Sequence, residues 1–362
     1  MRLDETTLPV YAKGAAILGA GGGGSTRPGL LAALETVEEK GPVEVISLDD
    51  VPDDELIVPA GLMGSPNVSQ EKLGNPEMGA WMRDILERET GKRVCAFMPA
   101  EIAGQNALAP VIWGAHTGLP VVDADGMGRA FPEAQMFSMN VAGVSPSPSA
   151  LIDERGHKVM LRNLDALRHE RCARSMVVAF GGSAGNALYV CTGAQARTAV
   201  IAGSVTRALR IGQVLADAPA DRIRALLDHL GGQVIITGKV SDIERHTSGG
   251  FVRGHALIDG VGVDSGRLVR IEIQNENLIV LEEGGVLVSV PDIITLLDTQ
   301  TGDVIFTETI RYGQRGTLVA FPSPDIWRTP EGLALVAPRA FGYDFDYEPL
   351  ELLTLSRNGE ER

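Results

Sequence analysis

The sequence predicts an α/β fold: an N-terminal α/β domain with a partly parallel sheet, plus a β-rich, mostly antiparallel C-terminal domain. Three observations carry this. Between residues 11 and 148 short apolar runs alternate with helical segments, the pattern of a sheet at least partly parallel. After residue 233 the chain turns to strands and tight turns. Between them, Ser145-Pro146-Ser147-Pro148-Ser149 breaks regular structure. The expected domains are 1–162 and 163–355, the second having a helical lead-in at 163–232 and a β-rich part at 233–340.

Strands are expected at 43–48, 56–59, 94–98 and 119–122, each a short apolar run. Helices are expected at 28–39, with proline in the first turn, and at 76–89 and 104–117. Segment 11–18 carries a lysine, a glycine and alanines and reads as either a poor strand or a helix. One long helical pattern runs from 194 to 216. Another, 221–230, starts at Asp221 and stops at Gly231-Gly232. In 267–274, Val269, Ile271 and Ile273 alternate with Arg270, Glu272 and Gln274, and Asn275-Glu276 turns the chain into a strand at 278–281. A second hairpin is expected between 293–297 and 304–307. The polar tail from Ser356 is expected to fray.

The chain has 362 residues, 44% of them hydrophobic, which is enough for a large core in one or two domains. A net charge of −15 with dispersed Lys and Arg argues against nucleic-acid or anionic-membrane partners. No apolar run is long enough to span a membrane, and no apolar segment follows Met1–Glu5 as in a signal peptide. A cytoplasmic location is expected. The three cysteines, Cys95, Cys172 and Cys191, are too few and too scattered for a disulfide framework or a CxxC site. They read as reduced, buried thiols.

The densest cluster of chemistry is Asp123-Ala124-Asp125-Gly126-Met127-Gly128-Arg129-Ala130-Phe131-Pro132-Glu133, directly after the 119–122 strand. Strand ends at a sheet edge are where α/β proteins bind ligands. Asp123 and Asp125, two residues apart, face the same way if the strand continues, and would share a cation or a proton. Arg129 would anchor a substrate carboxylate. The plainer alternative is an Asp-Gly turn with Arg129 paired to Glu133 at i+4. Glu101 and Asn106 lie at a second strand exit, where Glu101 or Gln105 would otherwise only cap the next helix. Gly61 to Asn67, with Ser65, forms a third such exit, and turn chemistry alone would explain its composition. The run Gly19-Ala20-Gly21-Gly22-Gly23-Gly24 contains G-x-G-x-x-G, with Asp49 downstream. It reads as a dinucleotide fingerprint, as another ligand contact, or as a structural turn. None of the six histidines falls at H-x-x-x-H spacing. His116 suits a helix C-terminus, and His246 and His255 lie either at the domain cleft or on a strand surface.

The stretches ILGAGGGG (17–24), AGLMGSPNVSQEKL (60–73), PAEIAGQNAL (99–108), LPVVDADGMGRAFPEAQM (119–136), SGGFVRG (248–254), IEIQNENL (271–278), VPDIITLLDTQTGD (290–303) and RYGQR (311–315) together resemble the S-methyl-thiohydantoin desulfurase family, whose members often lie beside hydantoinases. The resemblance implies two domains, an α/β one and a β-rich one. It also implies a hydrolase that converts an S-methyl-thiohydantoin to a hydantoin and methanethiol, with a small cyclic amide as substrate. It carries no metal-ligand set.

Such chemistry asks for a base or metal to activate water, an acid, and donors for the developing charge. Asp123, Asp125, Glu101 and Arg129 are the catalytic candidates, and Asp123 and Asp125 the candidate ligands for zinc or manganese. Gly21, Gly22, Gly23, Gly24, Ser65, Asn106 and Glu133 are the substrate-binding candidates. No nucleotide is expected, and self-association into a homo-oligomer is. The alternatives are a non-catalytic partner subunit of a hydantoinase or oxoprolinase complex, and, on the glycine run alone, a nicotinamide-dependent oxidoreductase.

Overall fold

The computed structural model describes residues 1–64, 68, 71–72, 74–248 and 251–352. Ser65 and the tail from residue 356 lie outside the described residues. The first sheet runs, in spatial order, Arg2–Leu3, Val43–Ile46, Val121–Val122, Val94–Pro99, Leu56–Gly64, Ser183–Ala187, Ser149–Ile152 and Lys158–Leu161. Its middle is parallel, from Val43–Ile46 through Leu56–Gly64. Its flank beyond Leu56–Gly64 is antiparallel. The parallel strands are nearly continuous apolar runs because both faces are covered. The second sheet has seven strands, all antiparallel, in the order Gly285–Ser289, Glu276–Glu282, Leu268–Gln274, Phe251–Gly260, Gln233–Ser248, Arg315–Phe321 and Ile293–Asp298. The alternation expected along Leu268–Gln274 holds until its last residue, since Gln274 is buried too.

The segment before the glycine run is a helix, Leu8–Leu18. A dinucleotide fingerprint needs a strand there, and Asp49 sits exposed in a short 3₁₀ turn, Leu48–Asp50. The oxidoreductase layout is therefore absent. The expected long helix at 194–216 is two helices, Gly193–Ala199 and Ser204–Asp217. Between them Ile201–Ala202 pairs antiparallel with Ala124–Asp125, a tertiary contact that periodicity cannot register. Residues beyond 162 also complete the first sheet, through Ser183–Ala187 and Cys191–Thr192, so the sheet crosses the expected domain joint. The 304–307 arm of the second hairpin is reduced to one bridge, Leu297 to Val304. Cys191 is buried and Cys95 half-buried, with burial raising both thiols, to about 12 and about 11. Cys172 is exposed on the helix Ala166–Ala179, unlike the buried reading.

Helix Ser204–Asp217 buries Val205, Ala208, Ile211, Gly212 and Leu215, one helical stripe. That stripe lies on Leu8–Leu18 in a core cluster that also takes Ile293, Leu297, Val319 and Phe321 from the second sheet. The two helices meet at glycines. A Cβ at Gly14 would stand 1.8 Å from the Ala208 carbonyl oxygen, and one at Gly212 1.9 Å from that of Val10. Neither obstacle is a flexible side chain, so the helices must separate to admit a methyl. Gly14→Ala and Gly212→Ala are each expected to destabilise the protein by about 1–3 kcal/mol, measured by urea unfolding. Unchanged midpoints would show that the helices can part without cost.

Candidate functional site

The end of the strand Leu56–Gly64 and the loops after Val94–Pro99 and Val121–Val122 open on one edge of the first sheet. There they meet the glycine run and the Asn275–Glu276 end of a hairpin from the second sheet. Together they enclose a cleft of about 810 Å³, measured out to its open mouth. Of the candidate residues, Gly23, Gly24, Glu101, Asn106 and Glu133 line it. Gly21 and Gly22 stand behind its wall. A Cβ at Gly21 would lie 2.6 Å from Asn277 Nδ2, and one at Gly22 2.2 Å from Glu276 Oε1. The glycines thus serve close backbone approach more than a phosphate.

Asp123, Asp125 and Arg129 do not line the cleft. Asp125 is fully buried. Its Oδ2 accepts from the amides of Ile102 (2.9 Å), Met127 (3.0 Å) and Gly128 (2.6 Å), and its Oδ1 from the Ser204 hydroxyl. Burial pushes its carboxyl up to about 6, against those four donors, which favour the anion. Asp123 accepts from Thr206 N (2.9 Å) and Thr206 Oγ1 (2.5 Å). Both aspartates therefore hold the N-terminus of helix Ser204–Asp217, where negative charge is favoured. Their oxygens are committed to these donors and do not fit a shared cation. Among the described residues, no group of three or more His, Cys, Asp or Glu side chains is placed to hold a metal. Arg129, also fully buried, donates to the carbonyls of Ala130 (2.9 Å), Pro291 (2.5 Å) and Asp292 (2.8 Å). It neither faces open space for a substrate carboxylate nor pairs with Glu133. Glu133 instead accepts from Gln135 (2.5 Å) and Gln274 (3.1 Å).

Two buried glutamates of the cleft stand out by their raised carboxyls, one foreseen as a candidate and one not. Glu101 is 7% exposed. Its Oε1 accepts from Asn106 Nδ2 (2.5 Å), while Asn106 Oδ1 accepts from Leu62 N (2.6 Å), so Asn106 fixes Glu101 to the neighbouring strand exit. Burial, stronger than the opposing bonds from Asn106 and the Phe131 backbone, pushes Glu101 up to about 7. Glu276 is 3% exposed, and its Oε2 has no hydrogen-bond partner. Burial, reinforced by the charge of Glu101, raises Glu276 well above the usual carboxyl range. Burial lowers Arg129 to about 10, and Glu276, Asp292 and Glu101 oppose that shift. Asp292 has its own cation, Arg328, at 2.8 Å. Arg129 is thus a buried cation whose charge acts on both glutamates.

Sequence reasoning missed Glu276 because Asn275-Glu276 reads as turn chemistry. Its available signal was a charged residue and an amide, Glu276-Asn277, directly before the apolar run of a buried strand. It also missed the ion pair of Glu170 and Arg174 (2.7 Å) at the cleft wall, whose i+4 spacing looks like an ordinary surface pair. Of the histidines, His116 pairs with Glu77 (2.8 Å), and His246 with Glu244 (2.6 Å). His255 lies 3.8 Å from both Asp242 and Glu244. None lines the cleft.

These features define a two-sheet α/β protein with an acidic, half-apolar cleft where the sheets meet. The chain belongs to the S-Me-THD-like family: its N-terminal domain family matches residues 6–163 and its C-terminal domain family residues 164–350. A crystal structure of a protein from Chromobacterium violaceum is similar with a TM-score of 0.81 at 23% identity, covering 97% of this chain and 100% of that one. At that identity the likeness shows the fold. No curated protein matches the chain. Among the described residues, no helix is long and apolar enough to cross a membrane.

The raised carboxyl of Glu101 has a consequence for stability. Its pKa is 4.5 ordinarily and about 7 in the fold. The raised value favours folding fully below pH 4.5, and that contribution is lost as the pH rises through about 7. Glu101→Gln removes the cost of ionisation. The variant is expected to be more stable than the wild type by about 2–3 kcal/mol at pH 8 and nearly equal to it at pH 4.5. Urea unfolding at the two pH values checks this, and a difference independent of pH would contradict it.

Proposed function

We propose that this protein hydrolyses a five-membered ring of the S-methyl-thiohydantoin type, giving a hydantoin and methanethiol, with Glu101 as base and Glu276 as acid. The observation that carries the reading is the buried glutamate pair with both carboxyls raised. Glu101 accepts from Asn106, which favours its anion and the base role, whereas Glu276 Oε2 has no donor, which favours its protonated form and the acid role. A purely structural subunit has no use for carboxyls that weaken its own fold, whereas a catalytic site has. The domain families supply the substrate class. The apolar side chains of Leu62, Met63, Phe131 and Leu188 on the cleft wall suit an S-methyl group.

The ring carbon bearing sulfur is amidine-like, doubly bonded to a ring nitrogen. Glu276, protonated, gives its proton to that nitrogen. Glu101, ionised, takes a proton from the attacking water, whose oxygen bonds to the carbon. The tetrahedral adduct then collapses: the C–S bond breaks, and the departing thiolate takes the proton held by Glu101. The adduct's hydroxyl returns a proton to Glu276 as the new carbonyl forms. Water is consumed, methanethiol leaves, and both carboxyls end as they began. Arg129 keeps the pair at one net negative charge from behind the wall. No step uses a metal, because Asp123 and Asp125 do not fit one. Zinc or manganese bound in proportion to the protein would have other ligands.

Methanethiol release from an S-methyl-thiohydantoin tests the assignment. Glu101→Gln and Glu276→Gln are each expected to lose about 10²–10⁴-fold in kcat, while Asp123→Asn stays within a few fold. In the wild type kcat/KM should fall as the pH drops below about 7, where Glu101 takes up its proton. Full turnover in either glutamine variant would refute the pair.

A further inference from the structure

One polar group in the cleft has no part in the acid–base scheme. Asn186 lies on the strand Ser183–Ala187, directly opposite Gly61 of Leu56–Gly64. Directly opposed residues share a sheet face, and Gly61 presents no side chain there. Asn106 fills the space instead, its Oδ1 3.1 Å from where a Gly61 Cβ would stand. Asn186 lines the cleft and is only 5% exposed. Its Nδ2 donates to Met63 Sδ at 3.5 Å, a weak acceptor. Its Oδ1 has no hydrogen-bond partner. Burying a carbonyl oxygen without a donor works against folding; Met63 and Leu188 beside it are apolar, and Asn106 across from it donates to Glu101 instead.

We propose that Asn186 Oδ1 accepts a ring N–H of the substrate, so that the site selects cyclic amides unsubstituted at that nitrogen. The inference rests on the hydrolase reading above and adds what that reading lacks, a group that tells one ring from another. A cyclic amide holds its N–H and its carbonyl or imine rigidly on one edge. Asn186 Oδ1 would accept from the N–H of such an edge. A methyl on the nitrogen facing Asn186 removes the donor and puts a carbon against an unsatisfied oxygen.

Binding of hydantoin and of its two ring-N-methylated forms, followed by calorimetry, tests this without requiring turnover. In the wild type, one of the two methylations is expected to weaken binding by about 10- to 100-fold. Asn186→Leu, close in volume and without the acceptor, should weaken hydantoin binding by a similar factor and abolish the discrimination. Asn186→Asp, which keeps an acceptor, should preserve the preference. The matching kinetic signature in Asn186→Leu is a raised KM with little change in kcat. Equal binding of all three rings by the wild type, or a preference that survives Asn186→Leu, would overturn the inference while leaving the hydrolase reading intact. Absence of both ring binding and turnover in the wild type would overturn the two together.

Discussion

The backbone of Gly21, Gly22 and Gly23 threads between elements that leave no room for a side chain, and Glu276 rests against it. The Ala20 carbonyl accepts from Asn277 N (2.9 Å), that of Gly21 from Thr307 N (2.9 Å) and that of Gly23 from Gln105 N (2.9 Å). One short run thereby ties the second sheet to the loop after Val94–Pro99. Gly22 is the tightest point: any side chain there would displace the Glu276 carboxylate. Glu276 reaches the cleft that Glu101 also lines past this strip of bare backbone.

Charge is managed at two depths. Asp125, fully buried, is satisfied by three amides and a hydroxyl, and Asp123 by Thr206. Their cost of burial is offset by hydrogen bonds and by the N-terminus of the helix they hold. The two glutamates have one cation behind them and fewer donors. The first pair is inert in the sense that donors hold each carboxylate, whereas Glu276 keeps one oxygen with none. Because the Asp123–Asp125 segment also pairs with Ile201–Ala202, the inert pair fixes the loop that carries Phe131 and Glu133 into the cleft.

Much of the frame was legible in the chain. The parallel strands Leu56–Gly64 and Val94–Pro99 were visible as apolar runs, the antiparallel sheet as alternation around Val269, Ile271 and Ile273. Gly61, Glu101, Asn106 and Glu133, from the segments read as strand exits, share a cleft with Gly23 and Gly24. What the chain did not reveal was direction. Asp123 and Asp125 look like a site because acids after a strand so often are one, yet their oxygens turn inward to Ser204 and Thr206, some eighty residues away. Arg129 turns toward carbonyls at Pro291 and Asp292, from the other sheet's side.

Local pattern decides which segments are strands or helices, because backbone hydrogen bonding and the side-chain period act over a few residues. On that basis the sequence by itself determined an α/β half, an antiparallel half and a set of candidate loops between them. It also sufficed to suggest the family. Only the tertiary structure decided which carboxylates are satisfied and which are left facing space. That depends on donors brought from distant segments and on water excluded by both sheets together, and neither has a local signature. Glu276, unremarked in a turn of sequence, becomes a buried carboxylate of the cleft wall with one oxygen unpaired. Asp125, conspicuous in sequence, becomes a structural anchor.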